Sequence, residues 1–244
     1  MDGIIKMFVF GLRKIWLYNS ESRDHWVMSQ AAKIKSGAQV LDAGAGSCPY
    51  REHFSHCEYK THDFTLLHPE QVAGKRGYGK IDYLSDVLSI PVVDSNFDVV
   101  LCTEVLEHVA EPILAVKEFA RILKPGGKLL LTAPLGSGLH QQPYHYYGGY
   151  TPYWYRTHLS EAGFDDIRVE ANGGFFKLYG QESVRFAMLL APWRGMREFF
   201  LLPLWLLLLP WLFVACPLLC YFLDPLDRER DFTAGYFVTA VRGR

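Results

Sequence analysis

Val40-Leu41-Asp42-Ala43-Gly44-Ala45-Gly46-Ser47-Cys48-Pro49-Tyr50 decides the fold class of this chain. An apolar pair ends in an acid, and two glycines follow at Asp-x-Gly-x-Gly spacing. A buried parallel strand stops in this way, turns tightly, and lets its backbone approach a ligand before a helix begins. One glycine pair is a weak signal, so its surroundings carry the argument.

Working outward, Ser22 to Ile34 reads as a helix leading into the Val40 strand. A short strand, Tyr59 to Thr61, ends near Asp63, at the offset expected of an acid that binds ribose hydroxyls. Ile81 to Leu84 is a weaker third strand ending at Asp86. Phe97 to Cys102 is a continuous apolar run, as in a strand covered on both faces. A helix from Pro112 to Leu123 is stopped by Lys124-Pro125-Gly126-Gly127, and Lys128 to Ala133 forms a fifth strand. Thr151 to Ala162 is a further helix. Asp166 to Glu170 and Tyr236 to Val241 are the last strands. Alternating strands and helices predict an α/β fold with a doubly wound, Rossmann-like parallel sheet.

The 244 residues suit one domain with an elaboration. With 25 basic and 26 acidic residues there is no basic stripe, which argues against nucleic acid as the main partner. Five cysteines include no C-x-x-C pair, so neither a disulfide framework nor a structural zinc site is expected.

Four blocks together resemble the class I S-adenosylmethionine-dependent methyltransferases, of the type 11 or ubiquinone-pathway kind. They are Val40–Gly46, Asp86 with Pro91 and Phe97-Asp98, Thr103 to Val109, and Arg121 to Gly127. The similarity runs from about Ala31 to Asn172 and includes the final strand. It implies S-adenosylmethionine as cofactor, with Asp42, Gly44, Gly46 and Thr103 in its site. Asp63 would take the ribose diol and Asp86 the adenine amino group. A carboxylate suits vicinal hydroxyls because it offers two acceptor oxygens. The third glycine common in the family motif is Cys48 here. A nicotinamide-dependent dehydrogenase would show G-x-G-x-x-G, and position 49 is Pro.

Methyl transfer to a hydroxyl requires removal of its proton, by a base or through a metal. A helix starting near Thr103 would put Glu104, Glu107 and His108 on one face. Such a face could hold magnesium or manganese, and the E-x-x-E-H pattern is similar to that of metal-dependent O-methyltransferases. That resemblance implies a further histidine ligand after the fifth strand, where His140 and His145 stand, with His145 taken to complete the set. Without metal, His145 or His140 is the expected general base, since imidazole titrates near neutrality. Glu104 completes the catalytic candidates. Tyr144, Tyr146, Tyr147, Tyr150, Tyr153, Trp154 and Tyr155 crowd around His145, either as an aromatic lid over an acceptor or as ordinary packing.

Phe199 to Leu223 contains no charged residue in 25 positions, flanked by Arg194, Arg197, Asp224 and Asp227. Length alone reads as one membrane span. Strand order opposes that: the insert lies between two strands of one sheet, so the chain must leave and return on the same side. Pro203, Pro210 and Pro217 each disrupt a continuous helix. The expectation is a re-entrant or interfacial hairpin of two short helices, with a homodimer interface through the apolar insert as the alternative. Ile4 to Tyr18, with Lys6, Arg13 and Lys14, reads as a basic amphipathic helix on a membrane or as a helix packed on the domain; it is not read as a signal peptide.

The expected organisation is therefore lead-in helices over 1–30, a cofactor-binding core over 31–175, an apolar insert over 176–231 and the final strand over 232–244. The expected protein is a methyltransferase at the cytoplasmic face of a membrane. Its acceptor would be a small molecule or lipid, such as a quinone precursor or a lipid-linked glycan. A non-catalytic, membrane-tethered binding module is the alternative.

Overall fold

The computed structural model describes residues 14–72, 77–193 and 195–244. The helix expected from Ile4 lies outside these up to residue 13, as does Arg194. The chain divides into two compact units. One is His25–Glu170 with Gly235–Arg244; the other combines the residues up to Asp24 with Ala171–Ala234.

The first unit is built on a seven-stranded sheet: β1 (Gln39–Ala43), β2 (Glu58–Asp63), β3 (Tyr83–Leu84), β4 (Phe97–Thr103), β5 (Leu123–Pro134), β6 (Phe164–Ala171) and β7 (Gly235–Arg242). Their spatial order is β3-β2-β1-β4-β5-β7-β6. β1 to β5 pair in parallel, and β7 runs antiparallel to β5. The strand order reverses between β1 and β4, where doubly wound sheets open a ligand crevice at their carboxyl ends. Leu41, Leu101, Leu129 and Leu131 are fully buried, as expected of strands covered on both faces.

Helices α1 (Tyr18–Ala31), α2 (Pro112–Ile122) and α3 (Pro152–Glu161) supply that cover. Trp26 on α1 stacks on Phe237 of β7 at 5.1 Å. α2 begins at a proline, which needs no donor in the first turn. β5 starts at Leu123 rather than Lys128, because Lys-Pro-Gly-Gly is absorbed into the strand as an irregularity opposite Phe97–Val99. Gly126 adopts φ +79, open to glycine, and a Cβ on Gly127 would lie 2.8 Å from the Lys124 carbonyl oxygen.

The second unit contains α4 (Phe175–Leu189), α5 (Met196–Phe200), α6 (Leu202–Pro210) and α7 (Cys216–Leu223). Two expected short helices are instead one helical run, Leu202–Leu226, whose most apolar window has mean hydropathy 2.3. A π-turn at Trp211–Ala215 joins its halves. Among the described residues this run alone is long and apolar enough to cross a membrane. Its partner in a hairpin is α4. Asp224 accepts from the Gly174 and Lys177 amides, Ser183 Oγ donates to the Leu212 carbonyl, and Trp205 Nε1 donates to the Ala187 carbonyl. Residues rising along α4 thus meet residues falling along the long run, so the two are antiparallel.

The prolines are tolerated for a local reason. Pro217 has no N–H, which frees a carbonyl one turn earlier. There, the Phe213 carbonyl accepts from Trp16 Nε1 at 2.5 Å and that of Leu212 accepts from Ser183 Oγ at 2.9 Å. The helices approach closely at Gly180, where a Cβ would lie 3.0 Å from Cys220 Cβ and 3.1 Å from Pro217 Cα. Gly180→Leu should therefore prise the hairpin apart, costing about 2–3 kcal/mol by overpacking. Chemical denaturation checks this; unchanged stability would mean the helices do not cross there.

Candidate functional site

Parallel register brings the ends of β1, β2 and β4 level. Asp42 lies beside Thr61 and Leu101, and the Gly44 and Ala45 amides both donate to the His62 carbonyl. Gly44 and Gly46 have φ +78 and +51. Gly44 is demanded by the protein itself: a Cβ there would lie 2.3 Å from Val105 Cγ2. Cys48, in place of the family's third glycine, takes the left-handed region at φ +57, at a cost of about 1–2 kcal/mol for a side-chain-bearing residue.

Asp63 ends β2 and organises this turn. Its Oδ2 accepts from the Gly46 amide and its Oδ1 from the Thr65 amide, both at 2.9 Å. Each carboxylate oxygen keeps further acceptor capacity. Asp86 is exposed and its Oδ1 accepts from the Leu88 amide at 2.9 Å. Thr103 closes β4 opposite Thr132 of β5.

Asp42 is 1% exposed. Tyr59 donates to its Oδ2, while Oδ1 has no partner. Burial is the main cause that pushes its carboxyl up to about 7, against the Tyr59 hydrogen bond; Asp63 adds to the rise and Arg51 opposes it. No pattern in the sequence marks Tyr59 as the partner, since it sits within β2 and meets Asp42 only through strand pairing.

The expected magnesium or manganese ligand set of Glu104, Glu107, His108 and His145 is not what the fold assembles. No α-helix starts at Thr103. Glu104 takes φ +53, its Oε1 accepts from Thr132 Oγ1 at 2.7 Å, and only a short 3-10 turn follows at Leu106–His108. The i, i+3, i+4 face is therefore lost. Instead His108, His140 and His145 gather, with one ring nitrogen from each within 4.8 Å of the others. Glu107 is buried, its Oε1 3.8 Å from His108 Nε2. Burial, chiefly, lowers His108 to about 4; the Tyr144 carbonyl opposes the shift and the other two histidines add to it. His145 is also lowered, by desolvation and then His140.

The histidines are held by the loop between β5 and α3. Tyr146 and Tyr147 amides donate to the Glu107 carbonyl, and the Tyr150 hydroxyl donates to that of Leu106. Gln71 Nε2 donates to the Gln142 carbonyl and Gln141 Nε2 donates to the Gln71 carbonyl, tying this loop to the segment after β2. The aromatic cluster splits. Tyr150 and Tyr155 are core, Trp154 lies 4.5 Å from Tyr150 with the rings tilted, and Tyr144 packs edge-on against Phe64. Tyr146, Tyr147 and Tyr153 remain exposed.

Residues 41–131 match a family model described as a methyltransferase domain. The chain is 36% identical over 104 residues to ubiquinone biosynthesis O-methyltransferase of Xanthomonas oryzae pv. oryzae, covering 40% of this chain and 43% of that protein. It is 32% identical over 108 residues to demethylmenaquinone methyltransferase of Paenarthrobacter aurescens, covering 43% and 42%. The chain thus spans less than half the length of these curated relatives. Phosphoethanolamine N-methyltransferase 2 of Haemonchus contortus, in complex with S-adenosylmethionine, shares the fold at TM-score 0.53 and 20% identity, over 91% of this chain and 53% of that one. The [4+2]-cyclase SpnF shares it at TM-score 0.55 and 17% identity, over 90% and 81%. These likenesses show the fold alone.

The residues present fit S-adenosylmethionine. The unpartnered Asp42 Oδ1 is a buried acceptor suited to a cation, and Asp63 and Asp86 retain acceptor capacity for hydroxyl and amino groups.

Two consequences are measurable. The Asp42 pKa is raised on folding, so the stability this group gives is full below its ordinary 3.8 and lost as pH climbs to about 7. Asp42→Asn should therefore stabilise the cofactor-free protein at about pH 8.5, by on the order of 1–3 kcal/mol, and much less at about pH 5. An equal effect at both pH values, in thermal unfolding, would refute the raised pKa. Asp63→Asn turns an amide donor toward one of two backbone N–H groups and should weaken S-adenosylmethionine at least roughly ten-fold. Calorimetry showing parental affinity would remove Asp63 from the site. Within this chain, residues 41–131 are a methyltransferase domain of the class I S-adenosylmethionine-dependent kind.

Proposed function

We propose that the protein transfers the S-adenosylmethionine methyl group to a hydroxyl of an apolar, membrane-dissolved acceptor: a quinone precursor, a lipid or a lipid-linked glycan. The observation that carries this reading is a long apolar helical run, uncharged up to Leu223, in the same chain as a methyltransferase domain. Leu207 and Phe222 are 75% and 70% exposed, and only 17% of the run's most apolar window is buried. The named activities of the Xanthomonas and Paenarthrobacter relatives point to acceptors of the quinone class.

The cofactor supplies an electrophilic methyl carbon on a sulfonium. The acceptor oxygen must attack in line and give up its proton. When no metal is bound, His140 or His145 is the group that receives that proton, since both stand on the loop between β5 and α3. Asp42, Gly44, Gly46, Asp63, Asp86 and Thr103 hold the cofactor. Glu104 fixes the strand end through Thr132.

The hairpin lies in the membrane interface rather than spanning it. Its long arm, about 37 Å at 1.5 Å per residue, could cross a core of about 30 Å. The α4 arm could not, because Lys177, Glu182 and Arg185 interrupt its apolar residues. Both arms lead back to strands of one sheet, which supports a position on a single membrane face, read here as the cytoplasmic one. A homodimer through the same apolar surface is the competing use.

Purified protein with radiolabelled S-adenosylmethionine and a total lipid extract should transfer label to the organic phase. Cofactor binding with no labelled product would favour the non-catalytic, membrane-tethered module. Leu207→Asp with Phe222→Asp should abolish co-sedimentation with anionic vesicles yet leave cofactor affinity unchanged. Loss of a dimer without any change in vesicle binding would assign the surface to self-association.

A further inference from the structure

We propose that His108, His140 and His145 form a binding site for a borderline transition-metal ion of the zinc class, with a fourth position open to an oxygen donor. This goes beyond the methyl-transfer reading and does not depend on it. It also differs in kind from the carboxylate-rich magnesium site that the E-x-x-E-H spacing predicts.

The tautomers are settled by geometry. His108 Nδ1 lies 2.5 Å from the Tyr144 carbonyl oxygen, and His140 Nδ1 lies 2.9 Å from that of Gly138. A carbonyl oxygen only accepts, so both Nδ1 atoms carry the proton and both Nε2 atoms present lone pairs. Metal-bound imidazoles are oriented in the same way, the second nitrogen donating to a backbone carbonyl or carboxylate. The third ring adds an independent sign: His145 Nδ1 is buried with no hydrogen-bond partner.

The rings face one another without being stacked. Their centroids lie 4.6, 4.6 and 5.5 Å apart. Three nitrogens on a tetrahedral zinc stand about 3.3 Å apart, from bonds of about 2.0–2.1 Å. Nitrogens within 4.8 Å need only a modest closure, and His140, on the exposed part of the loop, is free to make it. The remaining parts are already pinned: Tyr147 Oη donates to the Ala110 carbonyl at 3.0 Å, and its amide donates to that of Glu107 at 3.2 Å.

Donor chemistry selects the metal. Three neutral imidazoles suit zinc, nickel, cobalt or copper, whereas magnesium and manganese prefer oxygen. Three protein ligands leave a tetrahedral ion one open position, the arrangement of catalytic rather than structural zinc. Glu107 Oε1, 3.8 Å from His108 Nε2, adds negative charge beside the cation. An acceptor hydroxyl or water at the open position would have its pKa lowered there.

The test needs no activity. Full-length protein, freed of metal by chelator and dialysis, should bind one Co²⁺ with visible d–d absorption that Zn²⁺ displaces and excess Mg²⁺ does not. His140→Ala and His145→Ala should each weaken Co²⁺ by more than ~100-fold, beyond the loss caused by removing a ligand's hydrogen-bonded neighbour. His56→Ala, at an exposed histidine outside the cluster, should leave affinity unchanged. Equal affinity in His140→Ala, or displacement by Mg²⁺, would overturn the site. Calorimetry with S-adenosylmethionine on the same samples reports separately on the cofactor reading, and His140 is exposed enough that its loss should leave the fold intact.

Discussion

The pairing of the last strand with β5 is the constraint on which the rest of the chain depends. β7 enters antiparallel between β5 and β6, from Pro134↔Gly235 to Lys128↔Val241. Gly235 is required where it enters, because a Cβ would lie 2.6 Å from the Ala133 carbonyl oxygen. The Gly243 amide donates to the Gly163 carbonyl at the far end of the β6–β7 pair. At the near end, Thr233 Oγ1 donates to the Asn172 carbonyl at 2.8 Å. Everything between Asn172 and Thr233 is thus an excursion whose ends are tied by a hydrogen bond. Whatever solvent the excursion enters, it must come back.

The sheet was legible because its signals are local. Phe97–Cys102 reads as a covered strand from apolar continuity alone, and β4 runs Phe97–Thr103. The Asp42-x-Gly44-x-Gly46 turn and Asp63 likewise sit at adjacent strand ends. What sequence could not give was the reason for some residues. Gly44 reads as space for a ligand, yet its Cβ position is taken by Val105, sixty-one positions later. Arg121, read as part of a family block, fastens Ile90, Val92, Asp94 and Glu118 around itself. Asp98 accepts from the Gln39 amide and pairs with Lys124. Such motif residues hold the sheet; only tertiary contact separates them from residues that face the crevice.

The E-x-x-E-H segment shows how a spacing argument fails. It assumes α-helical periodicity from Thr103, and a single residue with φ +53 removes that assumption. Glu104 turns back onto Thr132 instead. His108 survives as a member of the cluster because its partners come from elsewhere, on a loop docked through Leu106, Glu107 and Ala110 carbonyls. The sequence placed His140 and His145 near the site but gave no way to count imidazoles against carboxylates. That count decides whether the site resembles a hard-cation or a borderline-metal centre.

The apolar run poses the same problem for backbone polarity. Three prolines argued for interruption, and in water an interrupted helix would let freed carbonyls find solvent. In an apolar environment every such group must be satisfied within the protein. The structure meets that requirement with two side chains distant in sequence, Trp16 and Ser183, which donate to Phe213 and Leu212 beside Pro217. At the base, Asp224 and Asp227 accept from the first amides of α4, where helical N–H groups otherwise lack partners. Charges that looked like mere boundaries of an apolar segment are the caps of its neighbouring helix. A hairpin whose kink and base satisfy their own polar groups can present leucine and phenylalanine outward at little backbone cost. Prolines spaced at 203, 210 and 217 are therefore compatible with one continuous helical arm, whose outward face is apolar.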